Sequence, residues 1–359
     1  MHFLKRYLPI AGLLVIVIGV QLLASATDTA YYLTQLTMAA YYSLLIIGLC
    51  VLMGYTGQIS LGHAGFFAIG GYLSASLTTY DFSAHSNTAI LQFMDKAGML
   101  MQRQSLYGEA LLNVHPWPAC IIAIAVAVII AFVLGIPVLK LRGHYLAMAT
   151  LGFGIIIYRI GLAAEFFGEA DGISEVPPFN LLPGLSVNGD FAARVQNYYI
   201  AWGLLLFGLA LLLNLIHSRV GRALRSIHGS EAAAEAIGVN TARFKLYTFV
   251  ISAAFAAVAG SFLTHYNGGI GPSEASVMKS VRYVAIVAVG GMANLWGALL
   301  MGIVLNFMSL RGMFGTYDDA VFGVILILIM LFAPQGILSV KIKHFFATKK
   351  ESPELGTID

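Results

Sequence analysis

Long apolar segments follow one another along most of this chain, and they constrain its fold more than any other feature. Six of them approach or exceed the roughly 20 residues that a helix needs to cross a lipid bilayer. They cover residues 31–53, 65–80, 118–139, 145–167, 198–217 and 244–265. Backbone groups in lipid must be hydrogen-bonded internally, so uninterrupted apolar runs of this length predict helices. We therefore predict an all-α, polytopic helical bundle in a membrane, with about eight to ten membrane segments, some of them broken or re-entrant.

Composition supports a location in lipid. Hydrophobic residues make up 59% of the chain and charged residues 10%, whereas a soluble domain carries roughly 25% charged residues. The net charge is only +3 and the basic residues cluster in short loops and tails, which argues against nucleic-acid binding. Cys50 and Cys120 lie in apolar runs without CxxC spacing. We interpret them as buried thiols, in preference to a disulfide or a metal site.

The amino terminus allows two interpretations. Lys5 and Arg6 precede an apolar run over residues 8–23, and Ala24-Ser25-Ala26 has the small-x-small form of a signal-peptidase site. Cleavage of residues 1–26 is therefore the alternative to a retained anchor helix. We expect an anchor helix over residues 1–30, a membrane domain over 31–338 and a basic, polar cytoplasmic tail over 339–359.

Loop charges orient the segments. With a cytoplasmic amino terminus, residues 81–117 and 168–197 fall outside, and the second of these stretches is rich in acidic residues. Lys140, Arg142 and the basic loop over residues 218–245 then fall inside, as the positive-inside rule requires.

The loop over residues 218–245 carries five Lys or Arg residues between two apolar segments. Within it, Ser230 has the position of a helix N-cap, Glu231 lies in the first turn, and Gly238 has the position of a C-terminal stop. We predict a short, capped, cytoplasmic helix that docks a soluble partner. The residues assigned to this coupling role are Arg222, Arg225, Ser230, Glu231, Glu235 and Gly238.

The carboxyl third conflicts with a simple count of spans. If residues 283–308 formed one span and residues 321–333 another, the tail with Lys341, Lys343, Lys349 and Lys350 would lie outside, against the positive-inside rule. The conflict disappears if residues 290–297 form a turn between two short helices. The chain then enters the membrane from the outer side, turns, and returns to the outer side. Residues 311–319 then form an outer loop. Such a turn should be buried in protein, since unwound backbone is not tolerated in lipid.

A second interruption occupies residues 54–65, where glycines are dense and formal charges are absent. Paired glycine-interrupted segments, one in each half of a chain, indicate a substrate path. The alternative is close helix packing through small residues, as at residues 65–71. The residues assigned to the translocation path are Tyr55, Gly57, Gln58, Ser60, His63, Gly290, Gly291 and Asn294.

Motifs for catalysis are scarce. The chain contains no GxxxxGK[ST] sequence, so energy must come from another subunit or from an ion gradient. Ser60 and His63 have the spacing of a nucleophile and a base, but we favour polar lining or interhelical hydrogen bonds. We predict no catalytic site, no metal site and no cofactor. Because Glu165 and Asp319 fall at span ends, we also expect no charged residue deep within the spans.

Four ordered motifs carry a specific resemblance. They are GYTGQISLGHAGFF at 54–67, LRGHYLAMATLGFG at 141–154, the loop over 221–240, and VAIVAVGGM at 284–292 followed by LWG at 295–297. Together they resemble the permease family of branched-chain amino-acid ABC importers, and more narrowly its LivM-type subunits. The resemblance covers most of residues 31–338.

The resemblance implies a bacterial inner-membrane permease subunit for leucine, isoleucine and valine. Its partners would be a LivH-like permease, two ABC ATPase subunits that bind the ATP, and a periplasmic binding protein. Two departures stand out: Glu231 and Gly238 are seven residues apart where the family has six, and the outer stretch 81–117 is long. Import of urea or short amides by the same architecture remains open, as do an ion-coupled secondary transporter and a membrane enzyme.

Overall fold

The computed structural model describes residues 2–83, 88–104, 110–139, 141 and 143–332. Most of these residues are helical, and two small β-hairpins are also present. The helices are α1 (His2–Ala26), α2 (Tyr32–Thr56), α3 (His63–Thr79), α4 (Ala89–Lys96), α5 (Pro116–Val138), α6 (His144–Ala163), α7 (Arg194–His217), α8 (Arg219–Gly229), α9 (Glu231–Ala236), α10 (Thr241–Asn267), α11 (Val277–Gly290), α12 (Leu295–Leu310) and α13 (Asp318–Phe332). The strands are β1 (Leu100–Gln104), β2 (Ala110–Val114), β3 (Phe179–Leu182) and β4 (Leu185–Val187), paired antiparallel as β1–β2 and β3–β4.

Six of the described helices are long and apolar enough to cross a membrane: α1 from Tyr7 onwards, α2, α5, α6, α7 and α10. Helices α3, α11, α12 and α13 are shorter, with 14 to 17 residues each. The predicted all-α polytopic bundle is confirmed. Part of the predicted orientation depends on residues outside the described ones, namely Lys140, Arg142 and the tail beyond residue 332.

Helix α2 lies at the centre of the bundle and is buried along most of its length. Helix α1 lies at the edge, where three tyrosine hydroxyls fix it to α7. Tyr198 donates to the carbonyl of Val17 at 3.1 Å and Tyr199 to Gln21 Oε1 at 2.9 Å. Near the other end, Tyr7 of α1 donates to a side chain of α7 at 2.6 Å. The helix expected at the amino terminus is thus formed and packs along the bundle.

Small residues bring α3 and α10 into backbone contact. A Cβ added at Gly70 would collide with the carbonyl of Ala257, and one at Gly260 would collide with that of Phe67. Ser261 uses the proximity to donate to the carbonyl of Gly70 at 3.2 Å. Close packing through small residues, considered above for residues 65–71, therefore applies at Gly70.

The two ends of the bundle differ. At one, the α8 end, α8 lies beside the carboxyl terminus of α2, and the Arg225 guanidinium is 5.6 Å from the ring centre of Tyr55. The opposite end carries both hairpins, and there Arg103 donates to the carbonyl of Glu175 at 2.8 Å. That bond joins residues 81–117 to residues 168–197. The two stretches expected on one side of the membrane do lie at the same end.

The predicted turn near residue 290 is confirmed, because α11 ends at Gly290 and α12 begins at Leu295. Its backbone accepts hydrogen bonds from the last turns of α2, including one from the Tyr55 hydroxyl to the carbonyl of Ala293 at 3.2 Å. Helix α12 then returns to the opposite end, where Arg311 lies 4.6 Å from the ring centre of Tyr32.

One expectation about this turn is wrong. Gly290 and Gly291 are buried, but Met292 and Ala293 are exposed. The turn extends to the α8 end of the bundle, so α2 bonds to its carbonyls while Met292 and Ala293 stay exposed in the described part of the chain. Cys50 is close by and donates to the carbonyl of Met292 at 3.4 Å; both cysteines are buried and unpaired, as predicted.

Candidate functional site

The basic loop folds into two capped helices, α8 and α9. The Ser230 hydroxyl accepts a hydrogen bond from the backbone N–H of Ala233 at 3.3 Å, which makes it the N-cap of α9. At the other end Gly238 has φ +86°, and its N–H donates to the carbonyl of Glu235 at 2.9 Å. The next N–H, of Val239, reaches back to the carbonyl of Ala234 at 3.0 Å. This pair of bonds is a Schellman motif, so both predicted ends of the helix are confirmed.

Helix α8 is amphipathic and packs one face on the bundle. Gly221, Leu224 and Ile227 form that buried face. Arg225 donates to the carbonyl of Ile216 at 3.0 Å, in addition to its contact with Tyr55. Arg225 therefore holds α8 against the ends of α2 and α7, although its side chain, like that of Arg222, is exposed.

Both acidic residues of α9 bond to the start of α10. Glu231 forms an ion pair with Lys245, whose side chain is only 9% exposed against 27% for Glu231. Glu235 accepts a hydrogen bond from the Thr241 hydroxyl at 2.6 Å. Sequence reasoning placed Glu231 in the field of the helix dipole and missed Lys245, because no local pattern relates two residues 14 positions apart. These carboxylates fix the position of α9.

Apart from Glu235, the residues that α9 exposes are apolar. Ala232, Ala233 and Ala236 are exposed, and Ile237 is 75% exposed. We call these four residues the α9 ridge. Beside it lies a cleft of about 400 Å³ between α5, α9 and α10, lined by Gly135, Ile136, Leu139, Glu231, Glu235, Thr241, Ala242, Arg243, Lys245 and Leu246. A projecting apolar ridge next to a cleft is the shape of a docking surface.

The glycine break between α2 and α3 is unwound, as the sequence predicts. Gly57 ends α2 with φ +68°, and regular helix resumes at His63. The His63 imidazole is fully buried between two hydroxyls, with Nδ1 3.0 Å from Ser60 Oγ and Nε2 2.7 Å from Ser252 Oγ. The arrangement ties the break to α10 by interhelical hydrogen bonds. Ile59, by contrast, is 45% exposed.

Gln58 completes the polar interior of the break. It is buried, and its Oε1 accepts from the Thr56 hydroxyl at 3.2 Å. Its Nε2 has no hydrogen-bond partner among the described residues. On the α6 side, the backbone N–H of Leu61 donates to Thr150 Oγ1 at 3.0 Å.

The structure brings the two breaks together at the α8 end. Tyr55 bonds to the turn after α11, and Gly290 of that turn packs against Gly297 of α12. Asn294 caps α12 by accepting from the N–H of Gly297 at 3.1 Å. Of the eight predicted path residues, Tyr55, Gly290, Gly291 and Asn294 thus form one group. Gly57, Gln58, Ser60 and His63 lie in the adjoining break, and the path-lining role of both groups stays a prediction.

The expectation that no charged residue lies deep within the spans is wrong. Glu274 and Lys279 form an ion pair at 3.1 Å, with side chains 19% and 23% exposed, beside Tyr42 of α2. Tyr42 is ten residues, about 15 Å, from the start of a 25-residue helix, so the pair lies near its middle.

Sequence reasoning missed the pair because the apolar run was taken to begin at Tyr283. Helix α11 in fact begins at Val277, where the Ser276 hydroxyl caps it by accepting from the N–H of Lys279 at 3.3 Å. That N-cap was the signal in the sequence. Arg282, one turn further on, bonds to Asp318 and so ties α11 to α13.

Comparison with known proteins gives a consistent result. The family described as "Branched-chain amino acid transport system / permease component" matches residues 31–331. The chain is similar to the high-affinity branched-chain amino acid transport system permease protein LivM of Salmonella typhimurium, with 31% identity over 323 residues that cover 84% of this chain and 68% of the relative. LivM of Escherichia coli is 30% identical with the same coverage. LivH of Escherichia coli, from the same kind of transport system, is 27% identical over 86% of this chain and 96% of the relative. No solved structure matches.

Proposed function

The chain belongs to the family of branched-chain amino acid transport system permease components, and from this premise we propose that it is the membrane subunit of an ATP-driven importer for leucine, isoleucine and valine. It is a multi-pass membrane protein. The observation that carries the proposal is the pairing of a capped docking segment, α8–α9, with a chain that contains no P-loop sequence. Such a subunit needs its energy from a partner, and the α9 ridge offers the surface to receive it.

The partners follow from the same family. We propose two ABC ATPase subunits that hydrolyse ATP, a second, LivH-like permease, and a periplasmic binding protein that selects the substrate. Similarity of this one chain to both LivM and LivH relatives supports a pair of related permeases. Two related subunits around one axis would present one α9 ridge to each ATPase. The chain itself then needs no cofactor and carries out no catalysis.

For the path, we propose that the Gly57–His63 break and the turn at Gly290–Asn294 line the route at the α8 end. Gln58, Ser60 and His63 are buried polar residues of the break, whereas the Ile59 side chain is 45% exposed. Unwound backbone at membrane depth is tolerated where it lines a cavity or is buried in protein, and the unpartnered Gln58 Nε2 is a donor that a route could use.

The decisive test is uptake in proteoliposomes that contain the purified complex. We expect leucine uptake to require internal ATP, both ATPase subunits and the binding protein, and to persist when ionophores collapse ion gradients. If uptake instead proceeds without the ATPase subunits and is abolished by ionophores, the ion-coupled alternative is supported. The Glu274 carboxylate is a candidate site for the coupling ion. An excess of urea or acetamide that competes with leucine would support the amide alternative.

Topology is a separate prediction. We propose an inner-membrane protein with both termini in the cytoplasm, so the α8 end faces the cytoplasm. A cysteine at exposed Thr316, between α12 and α13, should react with a membrane-impermeant thiol reagent from outside the cell. A cysteine at Thr348, which lies outside the described residues, should react only after permeabilisation. Because Cys50 and Cys120 are buried, background labelling should be low. Labelling of both positions from the same side would contradict the proposed topology.

A further inference from the structure

The ion pair near the middle of α2 has a third member. The Tyr42 hydroxyl donates to the Glu274 carboxylate, with oxygens at 3.1 and 3.2 Å, and accepts from Lys279 Nζ at 3.3 Å. Lys279 Nζ also lies 4.9 Å from the ring centre of Tyr42. Both charged side chains keep part of their surface accessible, and Met278 next to Lys279 is 53% exposed. The pair is therefore open on one side.

Two more hydroxyls surround this pair without bonding to it. Tyr72 of α3 and Tyr283 of α11 are buried; the ring centre of Tyr283 lies 6.2 Å from that of Tyr42, and α3 packs against the turn that carries Glu274. Neither hydroxyl has a hydrogen-bond partner among the described residues. A buried hydroxyl without a partner costs about 1 to 3 kcal/mol, so a ligand that bonded to either hydroxyl would recover part of that cost. These hydroxyls are available to a ligand.

The ion pair itself calls for an explanation. A buried ion pair contributes little stability compared with apolar residues of the same volume, since desolvation of the two charges offsets their attraction. Ionisable residues at membrane depth mark substrate or ion pathways far more often than packing. The Glu274–Lys279 pair should therefore be judged by what it can bind.

From this geometry we propose that Glu274, Lys279 and Tyr42 form a zwitterion-binding station on the substrate path. The Glu274 carboxylate receives the α-ammonium group of an amino acid, and the Lys279 ammonium receives its α-carboxylate. The Tyr72 and Tyr283 hydroxyls supply hydrogen bonds that the empty station lacks. The inference rests on the proposed import function and adds the chemical groups by which this chain contacts its substrate.

Charge balance favours a zwitterion over other ligands. A cation bound to Glu274 would leave the positive charge of Lys279 unpaired at membrane depth. An anion bound to Lys279 would likewise leave the negative charge of Glu274 unpaired. A neutral amide carries no charge, so it could not replace the Glu274–Lys279 ion pair that its binding would separate. A zwitterion exchanges one ion pair for two, so neither protein charge is left without a partner.

The test compares three variants in the assembled complex: Glu274→Gln, Lys279→Gln and the double variant. Each single change leaves one charge unpaired and should impair assembly as well as transport. The double variant leaves no unpaired charge, so it should assemble and keep its ATPase stimulation by the leucine-loaded binding protein. We expect its leucine uptake to fall about tenfold or more, because two charge-assisted contacts to the substrate are lost. Uptake by the double variant at the wild-type rate would identify a merely structural ion pair and overturn the proposal.

Tyr283→Phe and Tyr72→Phe provide a second measurement that does not depend on assembly of the double variant. Each removes one unpartnered hydroxyl, so stability should be unchanged or improved, whereas uptake should fall severalfold. If the double variant fails to assemble and both Phe variants transport like wild type, the station is refuted. Wild-type uptake separates the two proposals: if the wild-type complex does not import leucine, the proposed function fails first.

Discussion

Replacing Ile237 by Arg should reduce ATP-driven leucine uptake by about a hundredfold or more, because it places a charge in the centre of an apolar contact. Ile237 is 75% exposed at the carboxyl end of α9 and is the largest side chain of the α9 ridge. Burial of such a side chain in a partner contributes about 1.5 to 3 kcal/mol, and an unpaired charge in its place costs more. A basic residue at a helix carboxyl terminus interacts favourably with the helix dipole, so α9 itself should stay folded.

The measurement is twofold: co-purification of the ATPase subunits with the variant, and uptake in proteoliposomes. Ile237→Leu is the matched control and should retain both, since it keeps the apolar surface. An Arg variant that binds the ATPase subunits and transports like wild type would remove the docking role from α9.

The Glu231–Lys245 ion pair allows a test of whether α9 must be correctly positioned, separate from the test of its apolar surface. Glu231→Lys alone places two ammonium groups together where Lys245 is nearly buried, so it should displace α9 and uncouple hydrolysis from transport. The exchange Glu231→Lys with Lys245→Glu restores opposite charges and should recover most of the uptake. Recovery would mean that the pair positions α9. If the exchange stays inactive while α9 remains folded, Glu231 itself contacts the partner.

A second large effect is expected at the glycine break, where Ile59→Trp should lower uptake about tenfold while the complex assembles normally, because added bulk obstructs a path but not the docking surface. Ile59 is the exposed side chain of the break, so it can grow without displacing packed neighbours. ATP hydrolysis stimulated by the loaded binding protein should be largely retained. Wild-type uptake by the Trp variant would place Ile59 against lipid or a neighbouring subunit, away from the path.

Two further positions of the break, exposed Gly57 and buried Ser60, serve as the contrast. Gly57→Val forces a β-branched residue into φ +68°, which costs about 1 to 3 kcal/mol. Ser60→Val removes the hydroxyl partner of His63 Nδ1, which leaves a buried polar atom at a cost of about 1 to 3 kcal/mol. Both variants should lower uptake by adding bulk to the route, and these costs should lower assembly as well. Loss of uptake alone in the Ser60 variant would show that this side chain too faces the path.

Local features of the chain were predictable from its sequence. The long apolar runs, the interruption at Gly57, the turn after Gly290 and both ends of α9 were all correctly placed. Each depends on residues within one or two helical turns: apolar runs long enough to span lipid, glycines that adopt positive φ, and hydroxyls that cap the next N–H groups. Such interactions are formed between near neighbours, so the order of residues specifies them.

The contacts that bear on function were decided by the tertiary structure. Tyr42 and Glu274 are 232 positions apart, and they meet because the chain after α10 turns back into the bundle before α11 begins. Lys245 reaches Glu231 only because α10 starts beside α9, and Ala293 reaches Tyr55 only because the turn after α11 extends to the end of α2. No periodicity or spacing encodes which distant side chains become neighbours. The packing of whole helices, through apolar burial and close approach at small residues such as Gly70, determines it.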